Sequence, residues 1–278
     1  GAADGYCLAW SEASDPTSTL ALPRLLADVN LDGRQDVILS RAECGAHTCF
    51  EDLAVLTWDG TTLANRWDGS SLDLPYPEVR IVEATDGAPQ VQVTGTGFGS
   101  VGAGPYRPVR RTWRWDAPSG RLRVAAEERL PSAYRIHLLQ DAMAAESAGR
   151  TQDAADMYRR VMTDDQLLDW QDPASERANL GAFAAFRLVR LLLIAGEVNL
   201  AQGELDALQS GHPAGADGHA FAVMAAAFRE SFAGAADPAA ACDAARQAVE
   251  ASAGDILRRL DFGYANPAPT LAELCPGS

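Results

Sequence analysis

The chain has 278 residues, of which 47% are apolar and 22% charged, enough to bury the core of one large domain or two ordinary ones and arguing against intrinsic disorder. Its net charge of −15, from 38 acidic and 23 basic residues, repels phosphate backbones and anionic lipid and argues against wholesale nucleic-acid or membrane binding. Every basic residue is Arg, which excludes Schiff-base and phosphate-loop lysine chemistry, and apolar runs such as Leu191 to Ala195 fall far short of the ~20 residues of a spanning helix.

Up to about Arg129 the texture is that of short strands and turns. Val37-Ile38-Leu39, Leu53 to Trp58, Val79 to Val82, Val91 to Thr94, Thr112 to Trp115 and Leu122 to Val124 read as strands. Asp59-Gly60, Asp68-Gly69, Asp86-Gly87 and Ser119-Gly120 punctuate them as turns.

The sharpest local signal lies ahead of the first strand, in Asp28-Val29-Asn30-Leu31-Asp32-Gly33-Arg34-Gln35-Asp36. Side-chain oxygens at the first, third, fifth and ninth positions converge when the backbone coils around a hard cation. Gly33 permits the sharp turn, and the carbonyl of Arg34 adds a further ligand. Leu39 stands where a helix-loop-helix calcium site needs a bidentate Glu, and a strand follows instead of a helix. The segment resembles the loops of FG-GAP or VCBS-type repeats, found in β-propeller blades of cell-surface and secreted proteins. The resemblance implies a calcium ion, with Asp28, Asn30, Asp32 and Asp36 as side-chain ligands and Arg34 as a backbone ligand. It implies a structural role and an affinity on the order of 0.1–1 mM.

Asp86-Gly87 starts a second, fainter copy. Asp28 to Leu39 aligns over Val82 to Val93, and Trp58-Asp59 over Trp115-Asp116, a unit of roughly sixty residues. Ala84 and Gln90 replace two ligand positions, so this copy is expected to be metal-free. Two units suit a pair of blade-like sheets and are too few to close a propeller ring.

Cys44-Gly-Ala-His47-Thr-Cys49 supplies three zinc-type ligands but lacks a fourth nearby. A Cys44–Cys49 disulfide clipping a hairpin is the favoured reading. Cys242 and Cys275 are expected to pair, and Cys7 to be buried or free. Two disulfides imply an oxidising compartment, hence an extracytoplasmic protein. No signal-peptide pattern opens the sequence, which fits either a cytosolic chain or a mature chain already trimmed.

Gly97-Phe-Gly99-Ser-Val-Gly102 fits the dinucleotide fingerprint, but Pro105, Pro108 and a strand follow where pyrophosphate binding needs a helix. Arg107, Arg110, Arg111, Arg114, Arg121 and Arg123, interleaved with Trp113 and Trp115, could grip an anionic glycan. Pairing with acidic neighbours in the same protein is the commoner use of such residues. None of His47, His137, His212 or His219 sits in a catalytic motif. The adjacent carboxylates Glu127-Glu128 and Asp164-Asp165 are expected to be solvated.

Beyond Pro131 the residues recur at helical spacing. Asp172-Pro173 and Asp237-Pro238 mark helix starts, and Gly149, Gly196 and Gly211 mark helix ends. Ala154, Tyr158 and Val161, then Ala201, Leu205 and Leu208, then Ala241, Ala245 and Ala248 define one face each. With a Gly five residues ahead of the leading Ala in the first two sets, and Pro213 closing the second, the pattern resembles the second helix of a tetratricopeptide repeat. It departs in the long interval from Gly149 to Gly196, and in Val189 where the earlier unit has Ala142.

The fold class is therefore α+β: residues 1–131 a β-rich domain of two blade-like units, residues 132–278 an α-helical hairpin array. In tetratricopeptide arrays the first helices line a groove, which here would present Ile136, Leu139, Met143, Phe183, Phe186, Arg190, Leu193 and Ile194. So much apolar surface calls for a cover, either the chain's own β half, which is favoured, or a peptide partner. The reading as a whole is a non-catalytic extracytoplasmic binding or scaffold protein with a protein or peptide partner. A hydrolase or glycan-active enzyme with its site in the interdomain cleft is the competing class.

Overall fold

In the computed structural model, residues 22–45, 48–71, 73–96, 99–100 and 102–277 are described. The fold is α+β, with two four-stranded antiparallel sheets followed by helices. The first sheet is a meander of β1 (Leu22–Ala27), β2 (Asp36–Cys44), β3 (Cys49–Trp58) and β4 (Leu63–Asn65). Next come β5 (Glu78–Glu83), β6 (Pro89–Gly95), the two-residue strands β7 (Gly99–Ser100) and β8 (Gly104–Pro105), β9 (Val109–Asp116) and β10 (Arg121–Arg129). The second sheet has the order β10-β9-β6-β5.

Period-two alternation explains which faces are buried. On β6, Val91 and Val93 are fully buried while Gln90 and Gln92 between them are half-exposed. Ile38, Leu53 and Val55 of the first sheet meet Val91, Val93, Trp113 and Leu122 of the second in one core. Trp67, from the segment after β4, stacks on Trp113 with ring centroids 4.3 Å apart. That segment is also hydrogen-bonded to β10: Leu122 N donates to Arg66 O (2.8 Å) and Asp68 N to Leu122 O (2.9 Å). The two sheets thus share a core and a covalent crossing.

The faint repeat maps onto equivalent places. Asp32-Gly33 lies between β1 and β2, Asp86-Gly87 between β5 and β6, and Trp58 and Trp115 stand at the ends of β3 and β9.

The chain divides into two compact units, residues 1–100 with 106–131, and residues 101–105 with 132–278. The excursion at 101–105 has a steric cause. Gly104 (φ +77°) lies so close to the backbone of Phe262 that a Cβ there would sit 1.6 Å from the carbonyl oxygen. A Cβ on Gly263 (φ +94°) would stand 2.4 Å from the carbonyl carbon of Ala103. Only glycine allows both the left-handed backbone and this approach. The contact is closed by Tyr264 N to Gly102 O (3.1 Å), Ala265 N to Ala103 O (3.0 Å) and Asn266 Nδ2 to Pro105 O (2.6 Å).

The helical unit contains α1 (Arg135–Ser147), α2 (Thr151–Thr163), α3 (Pro173–Ile194), α4 (Val198–Gly211), α5 (His219–Ala235), α6 (Pro238–Ala248), α7 (Ala253–Arg259) and α8 (Leu271–Leu274). Successive pairs form hairpins; α1 packs on α3, and α3 on α5. Asp172 caps α3 by accepting from Ser175 N (3.3 Å), and Asp237 caps α6 by accepting from Ala239 N (2.9 Å), each ahead of a Pro at the first helical position. Gly149 and Gly196 end α1 and α3 with left-handed backbone, whereas Gly211 is the last helical residue of α4.

α3 is central and almost wholly buried. Phe183 stacks on Phe221 at 5.0 Å and Phe186 meets Phe228 edge-on at 6.5 Å. On the same helix Arg187 and Arg190 are buried and share Glu146 of α1 as counter-ion. Tyr158 of α2 donates to the same carboxylate at 2.6 Å. Both arginines also reach the C-terminal segment: Arg187 donates to Glu273 O (2.8 Å) and Arg190 to Pro276 O (2.7 Å), while Arg190 Nε stays buried without a partner among the described residues.

Removing one partner of a buried ion pair strands the other charge in low dielectric, at a cost of ~3–5 kcal/mol. Glu146→Ala is expected to lose that much in urea-denaturation stability. Asp153→Asn, which breaks only the exposed i,i+3 pair with Arg150, should leave the midpoint almost unmoved.

Candidate metal loop and the other sequence-predicted sites

Residues 28–35 join β1 to β2 as a coil of bends. Leu31 (φ +60°) and Gly33 (φ +85°) take left-handed backbone, which curls the loop back on its own start. The Asp28 carboxylate accepts from Asp32 N (3.1 Å) and Gly33 N (2.9 Å). Asn30 Oδ1 accepts from Asp32 N (3.0 Å), and Asp32 Oδ1 from Arg34 N (2.9 Å). Asp36 is buried at the first position of β2, where its Oδ2 accepts from Val29 N at 2.9 Å.

Burial pushes the Asp36 carboxyl up to about 6; Asp32 and Asp28 add to the rise, against the amides of Val29 and Asn30. Asp28, Asp32 and Asp36, with Asn30, supply the hard oxygens a calcium ion prefers. Their chemistry fits such an ion. As they stand, however, the side chains are closed on the loop's own amides. Among the described residues no group of three or more His, Cys, Asp or Glu is gathered as a metal-ligand set. Holding an ion requires Asp28 and Asp32 to exchange amide contacts for it. Arg34 is exposed.

At the corresponding turn of the second sheet, Asp86 accepts from Ala88 N (3.2 Å) and pairs with Arg114. Those contacts, the Ala88 amide foremost, hold its carboxyl below the usual carboxylate range.

Cys44 and Cys49 face each other across the β2–β3 hairpin with Cα atoms 4.0 Å apart and are disulfide-bonded, so neither offers a thiolate to zinc. Cys242 of α6 is bonded to Cys275, with Cα atoms 5.3 Å apart. Cys7 and His47 lie outside the described residues. So do Gly97, Phe98 and Val101 of the glycine-rich motif; β8, not a helix, follows Gly102.

The arginines of β9 meet acids. Arg110 pairs with Glu128 (3.1 Å), Arg111 with Asp73 (2.8 Å) and Glu127 (2.7 Å), and Arg114 with Asp86. On β10 Arg123 pairs with Asp68 at 3.3 Å. Glu127 and Glu128 are thereby partners of Arg residues, while Asp164 and Asp165 pair with Arg160 and Arg177. Arg111, bonded to Asp73, holds that carboxyl below its ordinary range, and its guanidinium lies 5.7 Å from the Trp113 ring.

His137 is buried, with Nδ1 2.7 Å from Ser132 Oγ and Nε2 3.1 Å from Asn266 Oδ1. His212 and His219 contact the backbone carbonyls of Asp217 and His212.

The residues expected to line a groove are packed within the helical unit. Ile136, Leu139, Phe183, Phe186, Arg190 and Leu193 are buried, Met143 is half-buried, and only Ile194 is exposed. Within the helical unit, α5 and the segment after α7 pack on them. Sequence reasoning missed the cluster of Glu146, Arg187 and Tyr158 around Arg190. The available signal was two arginines three residues apart in an otherwise apolar helix, since such charges are buried only when paired.

Comparison with protein-family models, curated proteins and solved structures finds no match. No described helix is long and apolar enough to cross a membrane.

The Cys242–Cys275 bridge closes a sequence separation of 33 and the Cys44–Cys49 bridge one of 5. In the chain-entropy account the longer loop contributes about 3–4 kcal/mol and the shorter about 2. A Cys242→Ser/Cys275→Ser variant should therefore lose more stability in guanidinium titrations than Cys44→Ser/Cys49→Ser. Alkylation of the unreduced, denatured chain should add at most one label by intact mass.

Proposed function

We propose that this protein is a non-catalytic extracytoplasmic binding or scaffold protein whose β half is stabilised by one calcium ion. The observation that carries the reading is the Asp28–Asp36 turn. There Leu31 and Gly33 take left-handed backbone in a short turn whose sequence carries three carboxylates and one amide oxygen at the entrance to a strand, a composition that supports the reading. In this reading Asp28, Asn30, Asp32 and Asp36 hold the ion through side chains and Arg34 through its carbonyl. The ion, when bound, neutralises the mutual repulsion of the carboxylates. The loop then plays the part its FG-GAP/VCBS-like sequence suggests. Two disulfides support an oxidising compartment.

The stacked hairpins act as a tetratricopeptide-like module that contacts a protein partner. With the inner face of α1 and α3 taken by the chain's own C-terminal segment, the partner in this reading meets the outer surface of the hairpins.

Calorimetric titration of the chelator-treated protein should give a single calcium event with Kd on the order of 0.1–1 mM. At a calcium concentration of about 10 mM the corresponding stabilisation is ~1.4–2.7 kcal/mol, read as a rise in Tm. Asp32→Ala should abolish both, and Asp86→Asn should abolish neither. Absence of heat together with a calcium-independent Tm sinks the proposal.

A further inference from the structure

The C-terminal segment crosses the inner face of α1 and α3 as a strap held at both ends. At one end Asn266 is buried; it donates to Pro105 O at 2.6 Å and accepts from the Gln140 amide at 3.2 Å. At the other end Cys275 is bonded to Cys242, and Arg187 holds the carbonyl of Glu273 at 2.8 Å. Between these anchors Pro267 and Pro269 restrict the backbone. Thr270 and Glu273 close a capping box at the start of α8.

Packing beneath the strap is incomplete. A cavity of 230 Å³ remains, walled by Leu139 and Met143 of α1, Phe183 of α3, and Ala268 and Pro269 of the strap. Leu139 and Phe183 are each only 1% exposed, so the floor belongs to the core. The two polar side chains at its edge are engaged elsewhere. The Gln140 amide donates to Asn266, and the Glu273 carboxylate accepts from Thr270 N (2.7 Å) and Thr270 Oγ1 (2.8 Å). The surface facing the space is mostly apolar, with a polar share at its edge. The space is partly open to solvent and larger than the roughly 150 Å³ that suffices for an apolar cavity to bind benzene.

We propose that this cavity is a binding site for a small uncharged apolar molecule, a single aromatic ring or a short alkyl chain, gripped between Met143, Phe183 and the strap. The anchored strap limits the site to a guest of that size. Glu273, kept ionised at the rim by its bonds from Thr270, repels an anionic ligand.

The test uses the full chain, toluene as probe and methyl-labelled methionine observed by NMR; Met143→Leu assigns the Met143 signal. Toluene at low-millimolar concentration should shift the Met143 methyl saturably and leave Met157, Met162 and Met224 unmoved, and sodium benzoate should shift none. Ala268→Leu fills the space, so it should raise the unliganded Tm and weaken toluene binding at least about tenfold. Should Ala268→Leu not fold, Ala268→Val gives the smaller filling and a proportionate weakening. No saturable Met143 shift in the parent chain, or one undiminished in the filled variant, overturns the assignment.

Discussion

Two guanidinium groups and one carboxylate withdrawn from water direct the packing of the helical half. Arg187 and Arg190 both lean on Glu146, and Tyr158 adds a hydroxyl donor to the same oxygen cluster. Two cations against one anion leave a charge only partly balanced. Burial draws Arg190 below the usual arginine range; Glu146 opposes the shift, and the neighbouring Arg187 adds to it. Main-chain carbonyls of Glu273, Leu274 and Pro276 meet Arg187 Nη1 and Arg190 Nη2, while Arg190 Nε is buried without a partner among the described residues. A buried guanidinium without acceptors costs several kcal/mol, so the C-terminal segment lies where its carbonyls satisfy these groups.

That placement decides what the hairpin stack can do. The inner face of α1 and α3, which in an open array would be a protein-binding groove, is closed by residues of the same unit. The Cys242–Cys275 bond fixes the closing segment covalently, and the Gly263 approach to Ala103 fixes it sterically. What is left of the groove is a cavity of 230 Å³ rather than a long trough, which suits a small molecule better than a peptide.

The β half follows a different rule. Its two meanders bury alternate residues against each other, with the Trp67–Trp113 stack at the centre. Charges are confined to strand rims and turns, where Arg110, Arg111, Arg114 and Arg123 are answered by acids. The turn before β2 differs: among the described contacts its carboxylates accept from loop amides and from Asn30 Nδ2 (3.2 Å), with no arginine partner. An excess of acidic oxygen in one turn, in a protein that elsewhere pairs its rim charges, is the physical basis of the calcium proposal.

Local order was written in the sequence. All six strand segments read from alternation lie within observed strands, and both Asp-Pro pairs cap helices, because these signals act over a few residues. The oxygen-rich turn was equally plain. β1, with Leu22, Leu25 and Leu26 around Pro23, carries neither a clean alternation nor a turn signal; only pairing with β2 makes it a strand. The excursion at 101–105, the strap and the buried Glu146–Arg187–Arg190 cluster were decided by tertiary structure alone. Each joins residues tens to more than a hundred positions apart, as in Asn266 with Pro105, and nothing in the local pattern of either partner encodes the other. The tetratricopeptide resemblance pointed to apolar faces on α1 and α3; which chain segment covers them depends on where buried arginines find their acceptors, and that is settled only when the chain has folded.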